Sequence, residues 1–465
     1  MNLNRNNGGF DVTRRQMVRS LVSGSILLPG ILSQLLAADA RGEDGVNPLA
    51  SRAPQFPGKA KRVIFLYMTG GVSHLDSFDP KPKLFAKHGD STTTDGKGPK
   101  YLAPLWDFKP GGKCGTEVSD LFPHIRGCMD DICLIRSMHG DHNDHFQATL
   151  GIHTGSVTFA RPSIGSWVSY GLGTENQNLP SFVVLAPQLP YAGSQVWSAD
   201  FLPGCHQGTR VLAGEEPIPD LNRRAPTEKI ERMELSLLDR FNRKHQQTRS
   251  ADPMLAARIK SFETAFGMQQ EMPEVLDFSK ETDATLELYG LERGSAKGFA
   301  WQCLAARRMA ERGVRFIELI DVGSHDNWDA HSHMETHGPL AKNVDQAVAG
   351  LLKDLKSRGM LEDTLVVWTT EFGRSASVDG PNGRSHHVNA YSSWLAGAGI
   401  KGGMVYGKTD EIGSRVVEDS VHVHDFHATI LQCLGFNHEK LTFRHAGRDF
   451  RLTDVAGNVV KAILA

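Results

Sequence analysis

Six continuous apolar runs of strand length constrain the fold more than any other feature of this 465-residue sequence. Unbroken hydrophobicity over such a length is typical of strands buried on both faces, as in a parallel sheet. The runs are 62–68, 132–138, 182–186, 314–322, 364–370 and 392–396. Helical periodicity lies between them, for example over 296–312 and 340–355. Strands that alternate with helices predict an α/β fold, with a mostly parallel sheet sandwiched by helices.

Two segments interrupt this alternation. Residues 85–116 are polar and glycine-rich, which is typical of a loop insertion. Residues 227–247 and 253–270 are charged and amphipathic, and we expect them to form an antiparallel helical pair on the side of the sheet. We therefore predict a single domain over 61–465 that carries both insertions, the second spanning 227–270.

The N-terminal region has the pattern of an export signal. Residues 4–19 are cationic, and residues 20–36 contain no charge. The segment Thr13-Arg14-Arg15-Gln16-Met17-Val18 resembles a twin-arginine signal, which a receptor reads as an address. An ordinary secretory signal or a short membrane helix is the alternative. We predict a signal peptide over 1–40, a linker over 41–60 and a periplasmic or extracellular protein with no stable membrane span after cleavage.

The charge of the chain excludes one class of partner. Lys and Arg total 51 and Asp and Glu total 53, so the formal net charge is −2. A chain this close to neutrality presents no basic field to a polyanion. Nucleic acid is therefore not expected as a partner.

Histidine is concentrated in a way that indicates metal chemistry. The chain has 20 histidines, and 13 of them lie in four stretches that together span 36 residues. Even scatter would place roughly one or two there. The stretches lie at 139–153, 325–337, 386–387 and 422–427, and carboxylates accompany them. Imidazole is the commonest metal ligand, so we expect histidines and carboxylates to meet at the carboxyl edge of the sheet around one or two divalent ions.

The strongest ligand candidates follow two of the predicted strands. Asp329 and His331 lie in a segment that begins at Asp326, and a loop whose histidines cap a helix is the alternative. Glu371 directly follows another strand, and the alternative is a carboxylate paired with Arg374. Arg374 is itself a catalytic candidate, because a guanidinium can steady an anionic substrate oxygen.

Three further segments carry weaker candidates. In 383–387 we expect one of His386 and His387 to bind a metal, rather than both. Asp76 is either a ligand or the former of an Asx turn. The polar residues of 422–427 are spaced as on one helix, and we expect them to cap and pack that helix rather than carry chemistry.

These motifs together carry a family resemblance. The sequence resembles the bacterial family known as domain of unknown function 1501, common in planctomycetes, within the alkaline phosphatase/sulfatase superfamily. The matching segments are Gly70-Gly71 with 76–82, then 161–167, 171–180, Trp328-Asp329 with His331, Glu371-Phe372-Gly373-Arg374, Gly383-Arg384 with His386-His387, 395–403 and 447–454. They span nearly all of the chain that follows the predicted signal.

The resemblance implies an α/β domain with a binuclear metal centre that hydrolyses phosphate or sulfate esters of small molecules or glycans. Asp329, His331 and His386 resemble one metal site, and Glu371 with Asp76 would serve the second. Two cations would neutralise ester oxygens and stabilise the leaving oxygen. Zinc suits histidine with carboxylates, whereas calcium or magnesium suits a shell richer in carboxylates and carbonyls.

The nucleophile position departs from the superfamily pattern. In sulfatases a Cys or Ser opens a helix that leads to a Thr-Gly pair, and counting back from Thr154 places His145 at that position. His145 would be a general acid, a ligand or a phosphoryl acceptor, or else an ordinary residue at a helix start. The hydroxyls of Thr69, Ser73 and Thr154, and a water activated by the cation, are the other candidates.

Two functions fit these observations. The first is an exported metal-dependent hydrolase of phosphate or sulfate esters, and the dense clustering of histidine favours it. The second is a catalytically degenerate metal- or glycan-binding surface or scaffold protein of the same fold, and the missing hydroxyl nucleophile favours it. A third interpretation is that the helical pair at 227–270 docks a partner. The oligomeric state stays open.

Overall fold

The computed structural model describes residues 47–214, 216–219, 226–247, 249, 253–322 and 327–465. The predicted signal peptide over 1–40 lies outside these ranges, as do His325 and Asp326.

The described residues form strands, α-helices and single-turn 3₁₀ helices. The strands are β1 (Arg62–Met68), β2 (Phe108–Gly111), β3 (Thr116–Ser119), β4 (Ile132–His139), β5 (Phe182–Leu185), β6 (Thr209–Val211), β7 (Phe316–Asp321), β8 (Thr364–Thr369), β9 (Gly373–Asp379), β10 (Gly383–His387), β11 (Tyr391–Ala396), β12 (Met404–Tyr406), β13 (Lys408–Thr409), β14 (Val416–Glu418), β15 (Val421–His422), β16 (Phe443–His445) and β17 (Arg448–Phe450). The helices are α1 (His74–Ser77), α2 (Pro82–Ala86), α3 (Pro123–Arg126), α4 (His145–Thr154), α5 (Ile164–Leu172), α6 (Glu228–Gln247), α7 (Pro253–Leu276), α8 (Asp283–Tyr289), α9 (Gly298–Glu311), α10 (His337–Ser357) and α11 (Val423–Cys433).

Nine of the described strands form one central sheet, in the order β12-β4-β11-β8-β1-β7-β5-β6, with β15 paired to β4. Every pairing in this sheet is parallel except the two made by β11, which runs antiparallel to β4 and to β8. The predicted fold class, a mostly parallel α/β sheet, is confirmed, and each of the six apolar runs contains a strand of this sheet.

The strand β1 shows why these runs are apolar throughout. Ile64 and Leu66 pack into the hydrophobic core on one face of the sheet. Val63 and Phe65 pack into a second core on the other face. A strand with helices on both sides has no solvated face, so period-two alternation of polar and apolar residues is absent.

The two insertions appear as follows. The helical pair predicted over 227–270 is present as α6 and α7, which contact each other. The polar segment 85–116 begins at the end of α2 and runs into a hairpin of β2 and β3. Across the described ranges, no helix has the length and apolarity that crossing a membrane requires.

The parallel register brings three strand ends to one edge of the sheet. Tyr67 of β1 pairs with Thr369 of β8, and Met68 of β1 pairs with Asp321 of β7. The segments that follow β1, β7 and β8 therefore leave the sheet side by side. In open α/β sheets, sites form in the crevice beyond the carboxyl ends of such strands.

Candidate metal centre

Four side chains converge at this edge, and we call them the His–Asp cluster: His145, Asp329, His331 and His386. Asp329 Oδ2 lies 3.1 Å from His145 Nε2. Asp329 Oδ1 lies 3.1 Å from His331 Nε2 and 3.3 Å from His386 Nε2. The Nε2 atoms of His331 and His386 are themselves 2.8 Å apart. Three imidazoles thus point the same ring nitrogen at one carboxylate.

The other nitrogen of each imidazole is held by an acceptor outside the cluster. His331 Nδ1 donates to Asp379 Oδ2 at 2.7 Å, and His386 Nδ1 donates to the Asn143 carbonyl at 2.6 Å. His145 Nδ1 donates to Glu371 Oε1 at 2.7 Å. A proton on Nδ1 leaves the lone pair on Nε2, and this arrangement is typical of histidines that bind a metal.

Local structure explains how these residues reach the edge. His145 is the first residue of α4, whose start is capped by Asp144 accepting a hydrogen bond from the Phe146 N–H. His386 lies on β10, which pairs with β9 in a two-stranded hairpin whose register shifts just before it. The shift places His386 opposite Arg374 on β9. Asp329 and His331 lie in the segment that follows β7.

Gly70, just after β1, allows this segment to pack closely. Its φ is +110°, and a Cβ there would lie 2.7 Å from the Asp329 nitrogen and 2.8 Å from the Trp328 nitrogen. Any other residue would push the Asp329 backbone away from the edge of the sheet. The glycine pair at the end of the first strand is therefore part of the site.

Glu371 supports the cluster through a hydrogen bond with His145. Its side chain is fully buried, and its Oε1 accepts from the Gly70 N–H at 2.9 Å as well as from His145. Its Oε2 accepts from the hydroxyls of Tyr67 and Thr370, both at 3.0 Å. Burial opposes the charged form, but the hydrogen bond and charge of His145 outweigh it and hold the pKa of Glu371 below its usual value. Glu371 thus orients His145, and its oxygens are occupied by protein donors.

Arg374 is a fully buried cation beside the cluster. Its Nη2 donates to Asp329 Oδ1 at 2.6 Å and also to the Gly70 carbonyl. Its Nε donates to the Gly71 carbonyl at 2.9 Å, and its Nη1 to the Arg384 carbonyl at 3.1 Å. This placement does not fit the predicted contact with a substrate oxygen, because the guanidinium is closed off from solvent and engaged by protein acceptors. We assign Arg374 a positioning role instead.

The charges in the cluster shift two pKa values strongly. Burial opposes ionisation of Asp329, but the contacts of His145 and His386 with its carboxylate and the charge of Arg374 hold the pKa of Asp329 well below its usual range. Burial alone would lower the pKa of His145, yet the Asp329 and Glu371 carboxylates raise it to about 9. The site therefore attracts a positive charge at His145 Nε2, which a proton or a cation can supply.

Aromatic rings fix the plane of His145. Tyr191 stacks on it with ring centroids 4.2 Å apart and planes within 8° of each other. Phe372 lies against it at 4.8 Å and against His386 at 4.6 Å. Rings packed on both imidazoles limit their rotation, which helps to keep both Nε2 atoms directed at Asp329.

Asp76 lies apart from the cluster. Its Oδ2 accepts from Ser73 Oγ at 2.5 Å and from Arg384 Nε at 2.8 Å, and its Oδ1 accepts from the Leu105 N–H at 3.1 Å. Both oxygens thus accept from protein donors, and one of them is in a buried ion pair, so the predicted role of Asp76 as a metal ligand does not fit its placement. The Arg384 charge and the Ser73 hydrogen bond outweigh burial and lower the pKa of Asp76. We assign Asp76 to the support of the loop after β1.

The hydroxyl candidates and the second histidine of β10 are either buried or bound to partners outside the cluster. Thr154 Oγ1 donates to the Leu150 carbonyl at 2.8 Å, and Ser73 is engaged by Asp76. Thr69 is buried at the end of β1. His387 Nε2 bonds the Ser414 carbonyl, so only His386 of the adjacent pair joins the cluster. The three hydroxyls are withdrawn from solvent.

The residues present fit a divalent cation. His145 Nε2 is buried and forms no hydrogen bond of normal geometry to any described residue, although Asp329 Oδ2 lies 3.1 Å away. One ligand atom each from His145, Asp329 and His386 lie within 4.8 Å of one another. Ligand atoms around a tetrahedral zinc with bonds of about 2.0–2.1 Å are about 3.3 Å apart. The spacings on Asp329 of 3.1–3.3 Å are close to that value, and the Nε2 atoms of His331 and His386, 2.8 Å apart, would need to separate slightly around the ion.

Sequence reasoning missed three residues of the site. Asp379 and Asn143 hold His331 and His386 by Nδ1, and Tyr191 stacks on His145. Asp379 could have been suspected, because it ends the strand that pairs with the one carrying His386. Nothing in the sequence pattern marks Asn143, which acts through its backbone, or Tyr191, which comes from a loop after β5.

Comparison with solved structures finds distant similarities. Lipoteichoic acid synthase LtaP from Listeria monocytogenes is 8% identical, with 87% of this chain and 78% of that chain covered and a TM-score of 0.39. PsFucS1 sulfatase from Pseudoalteromonas sp. is 14% identical, with 82% and 68% covered and a TM-score of 0.36. Alkaline phosphatase from the Antarctic bacterium TAB5 is 12% identical, with 82% and 99% covered and a TM-score of 0.36.

At the sequence level, a search of curated proteins gives no match. A family model described as "Protein of unknown function (DUF1501)" matches residues 60–464. Since that match covers most of the chain, the protein belongs to the DUF1501 family.

Proposed function

We propose that this protein is a metal-dependent hydrolase of phosphate or sulfate esters. The observation that carries the proposal is the convergence of three imidazole Nε2 atoms on the Asp329 carboxylate, with each Nδ1 held by a separate acceptor. A histidine with a purely structural role needs only one hydrogen-bonding partner. Three histidines that share one carboxylate are instead typical of a set of metal ligands.

We assign His145, Asp329, His331 and His386 as the residues that hold the cation, which we propose to be zinc. Three nitrogens and one carboxylate oxygen are the donor set that zinc prefers over calcium or magnesium. When bound, such a cation polarises an ester oxygen and lowers the pKa of a coordinated water. Any further ion would need ligands beyond the His–Asp cluster, since Glu371 and Asp76 already accept from protein donors.

The supporting residues prepare this ligand set. Glu371 keeps the proton of His145 on Nδ1, so that Nε2 faces the cation. Arg374 neutralises part of the charge of Asp329 and fixes its carboxylate against the end of β1. Ligands held in place by such outer contacts lose little freedom when a metal binds.

The exposure of the cluster indicates the side from which a substrate approaches. Side-chain exposure rises from 9% at His145 through 17% at Asp329 and 20% at His386 to 40% at His331. The cluster is thus closed by α4 on one side and open at His331 on the other. We propose that the ester oxygens enter from the His331 side, with a small molecule or a glycan fragment as the alcohol portion.

Turnover by the zinc-loaded protein on an aryl phosphate and an aryl sulfate tests this function. We expect hydrolysis of at least one of them, and we expect the Asp329→Ala variant to lose it. Activity that survives in Asp329→Ala, with the protein stripped of metal, would contradict the assignment of the cluster.

A metal- or glycan-binding protein without turnover is the second candidate. The observation that favours it is that Ser73, Thr69 and Thr154 are all buried, and that Ser73 and Thr154 are hydrogen-bonded to groups outside the cluster. Stoichiometric zinc binding without hydrolysis of either ester would support this candidate over the first.

We also propose that the protein acts outside the cytoplasm, on the basis of the twin-arginine pattern at Arg14 and Arg15. Replacing both by Lys should retain the protein in the cytoplasm, since the receptor reads the arginine pair. Unchanged export of that variant would argue for an ordinary secretory signal.

A further inference from the structure

The helix α4 carries polar side chains on the face that it turns to the sheet. His145, Thr149 and His153 are four residues apart, so they lie on one side of the helix, and all three are buried. We call them the polar stripe. A helix that covers a sheet normally presents apolar residues to it, so the stripe departs from the usual pattern.

The first two residues of the polar stripe reach neighbouring strands. His145 Nδ1 donates to Glu371, which follows β8. Tyr67 of β1 donates its hydroxyl proton to Glu371 at 3.0 Å, so Thr149 Oγ1 is the donor in its 2.9 Å contact with the Tyr67 oxygen. The first two turns of α4 are therefore held at β8 and β1.

The third contact is a buried pair of ionisable side chains in the middle of the sheet. His153 Nε2 lies 2.7 Å from Glu318 Oε1, and each side chain is only 1% exposed. In the strand register Glu318 of β7 lies between Phe65 of β1 and Val184 of β5, both of which are core residues. Since β7 is the next strand after β1, the polar stripe contacts three adjacent strands.

Stability alone does not explain why the His153–Glu318 pair lies in the core. The cost of desolvating two ionisable groups offsets much of their attraction, so exchanging a buried ion pair for well-packed apolar residues is often neutral or stabilising. Polar contacts are directional, whereas apolar packing is not. A helix held by three polar contacts one turn apart therefore fits the sheet in one position.

We propose that His153 and Glu318 are positioning residues of the metal centre, which hold α4 where His145 Nε2 meets Asp329. The pair acts about 12 Å from His145 along the same helix. A helix moves as a unit, so a displacement of about 1 Å at His153 would misplace His145 by a similar distance and break its 3.1 Å contact with Asp329. This inference rests on the proposed function, because it gives the pair a role in relation to the zinc ligands.

Zinc affinity and urea unfolding of the His153→Leu/Glu318→Leu variant test the proposal together. The leucines remove both ionisable groups and fill a similar volume, so we expect the midpoint of urea unfolding to stay the same or rise. We expect zinc affinity, measured by isothermal titration calorimetry, to fall by about tenfold, as it does when outer contacts of metal ligands are lost. A role in stability alone would instead lower the midpoint and leave the affinity unchanged.

Two further variants serve as controls. His206→Leu/Ser169→Ala removes another buried histidine contact, in which Ser169 Oγ lies 2.8 Å from His206 Nδ1, on α5 and on the segment between β5 and β6. We expect it to leave zinc affinity unchanged. Glu318→Gln should also keep the wild-type affinity, because its amide can donate to His153 Nε2 and retain the contact.

Crystal structures of the metal-free proteins give a readout that does not depend on zinc. In the His153→Leu/Glu318→Leu variant we expect the distance between His145 Nε2 and Asp329 Oδ2 to increase from 3.1 Å to about 4 Å or more. If the wild type bound no zinc, the proposed function would fail, and this distance would still decide whether the pair positions His145.

Thr149→Val is a second variant of the polar stripe, which keeps the shape of the side chain and should fold even if the leucine pair does not. It removes the hydroxyl that donates to Tyr67, and we expect zinc affinity to fall by about threefold, as for the loss of one neutral hydrogen bond. A folded Thr149→Val protein with wild-type affinity would contradict the role of the stripe.

Three other results would overturn the proposal. One is a His153→Leu/Glu318→Leu variant that keeps both the wild-type zinc affinity and the wild-type position of His145. Another is an equal loss of affinity in the control that lacks the buried contact on α5. The third is a loss in Glu318→Gln as large as that in the leucine pair, which would assign the effect to the charge of Glu318 instead of its contact.

Discussion

Two groups of histidines in this protein look alike in sequence but differ in structure. In the His–Asp cluster, three Nε2 atoms converge on one carboxylate. At the start of α11, His422 caps the helix by accepting from the His424 N–H, while His424 Nε2 bonds the Gly155 carbonyl and His427 Nε2 bonds the Ile152 carbonyl. Each ring of the second group thus has a separate hydrogen-bonding partner.

The difference shows what separates a ligand from a structural histidine. Burial lowers the pKa of His427 to about 3, so this ring stays neutral and acts as a hydrogen-bonding part of the core. The carboxylates around His145 instead raise its pKa to about 9 against the effect of burial. Converging ring nitrogens and a shared carboxylate thus mark the metal centre, and histidine density does not. The prediction that the α11 group caps and packs is confirmed.

The largest expected effect comes from removing the shared carboxylate. Asp329→Asn keeps the shape of the side chain but removes its charge, so we expect zinc affinity to fall by at least about a hundredfold. Isothermal titration calorimetry with zinc measures this directly. His424→Ala is the control from the α11 group, and we expect it to leave the affinity unchanged. Equal losses of zinc affinity in the two variants would contradict the distinction between the His–Asp cluster and the α11 group.

We expect the α11 group to affect the free energy of unfolding at acid pH instead of zinc affinity. The pKa of His427 is about 3 in the folded protein and about 6.5 in an unfolded chain, so between these values only the unfolded chain takes up the proton. The free energy of unfolding should therefore decrease as the pH falls below 6.5, by about 2 kcal/mol at pH 5 for this residue. Urea unfolding at pH 7 and pH 5 should show a smaller decrease in His427→Gln. The same decrease in both proteins would mean that His427 is protonated in the folded state.

We expect an intermediate effect on zinc affinity when Asp379, which accepts the hydrogen bond of His331 Nδ1, is replaced. Asp379→Asn leaves the ligands in place but weakens the hold on His331 Nδ1, and we expect zinc affinity to fall by about tenfold. Asp449→Asn is a matched control, since Asp449 is an exposed carboxylate that pairs with Arg444 on the hairpin of β16 and β17. An unchanged affinity in Asp379→Asn would indicate that His331 does not bind the metal.

The smallest effect concerns the ring stacked on His145. Tyr191→Ala removes the stacking partner, and we expect zinc affinity to fall by about threefold, whereas Tyr191→Phe should retain it because the ring remains. A loss in Tyr191→Phe as large as that in Tyr191→Ala would assign the effect to the hydroxyl instead of the ring.

Much of the framework could be predicted because it follows from local patterns. Continuous apolar runs identified six of the nine strands of the sheet, and the rule that sites form beyond the carboxyl ends of such strands indicated where Asp329, His331 and Glu371 would lie. His386 over His387 was a choice within one segment, and the structure brings His386 to the cluster.

The parts that could not be predicted depend on contacts between distant segments. Asp76 looks like a ligand until Arg384, 308 residues away, is seen to pair with it. Arg374 looks like a substrate contact until the carbonyls after β1 are seen to enclose it. A single sequence gives the chemistry of a side chain, but it does not show which hydrogen-bonding partner that side chain will contact in the fold.

Anomalous diffraction at the zinc absorption edge from crystals of the zinc-loaded protein is the most direct measurement of the metal centre. We predict a peak about 2.0–2.2 Å from an oxygen of Asp329 and from the Nε2 atoms of His145, His331 and His386. A fully loaded protein with no peak among these atoms, or with its zinc held by other residues, would contradict the assignment.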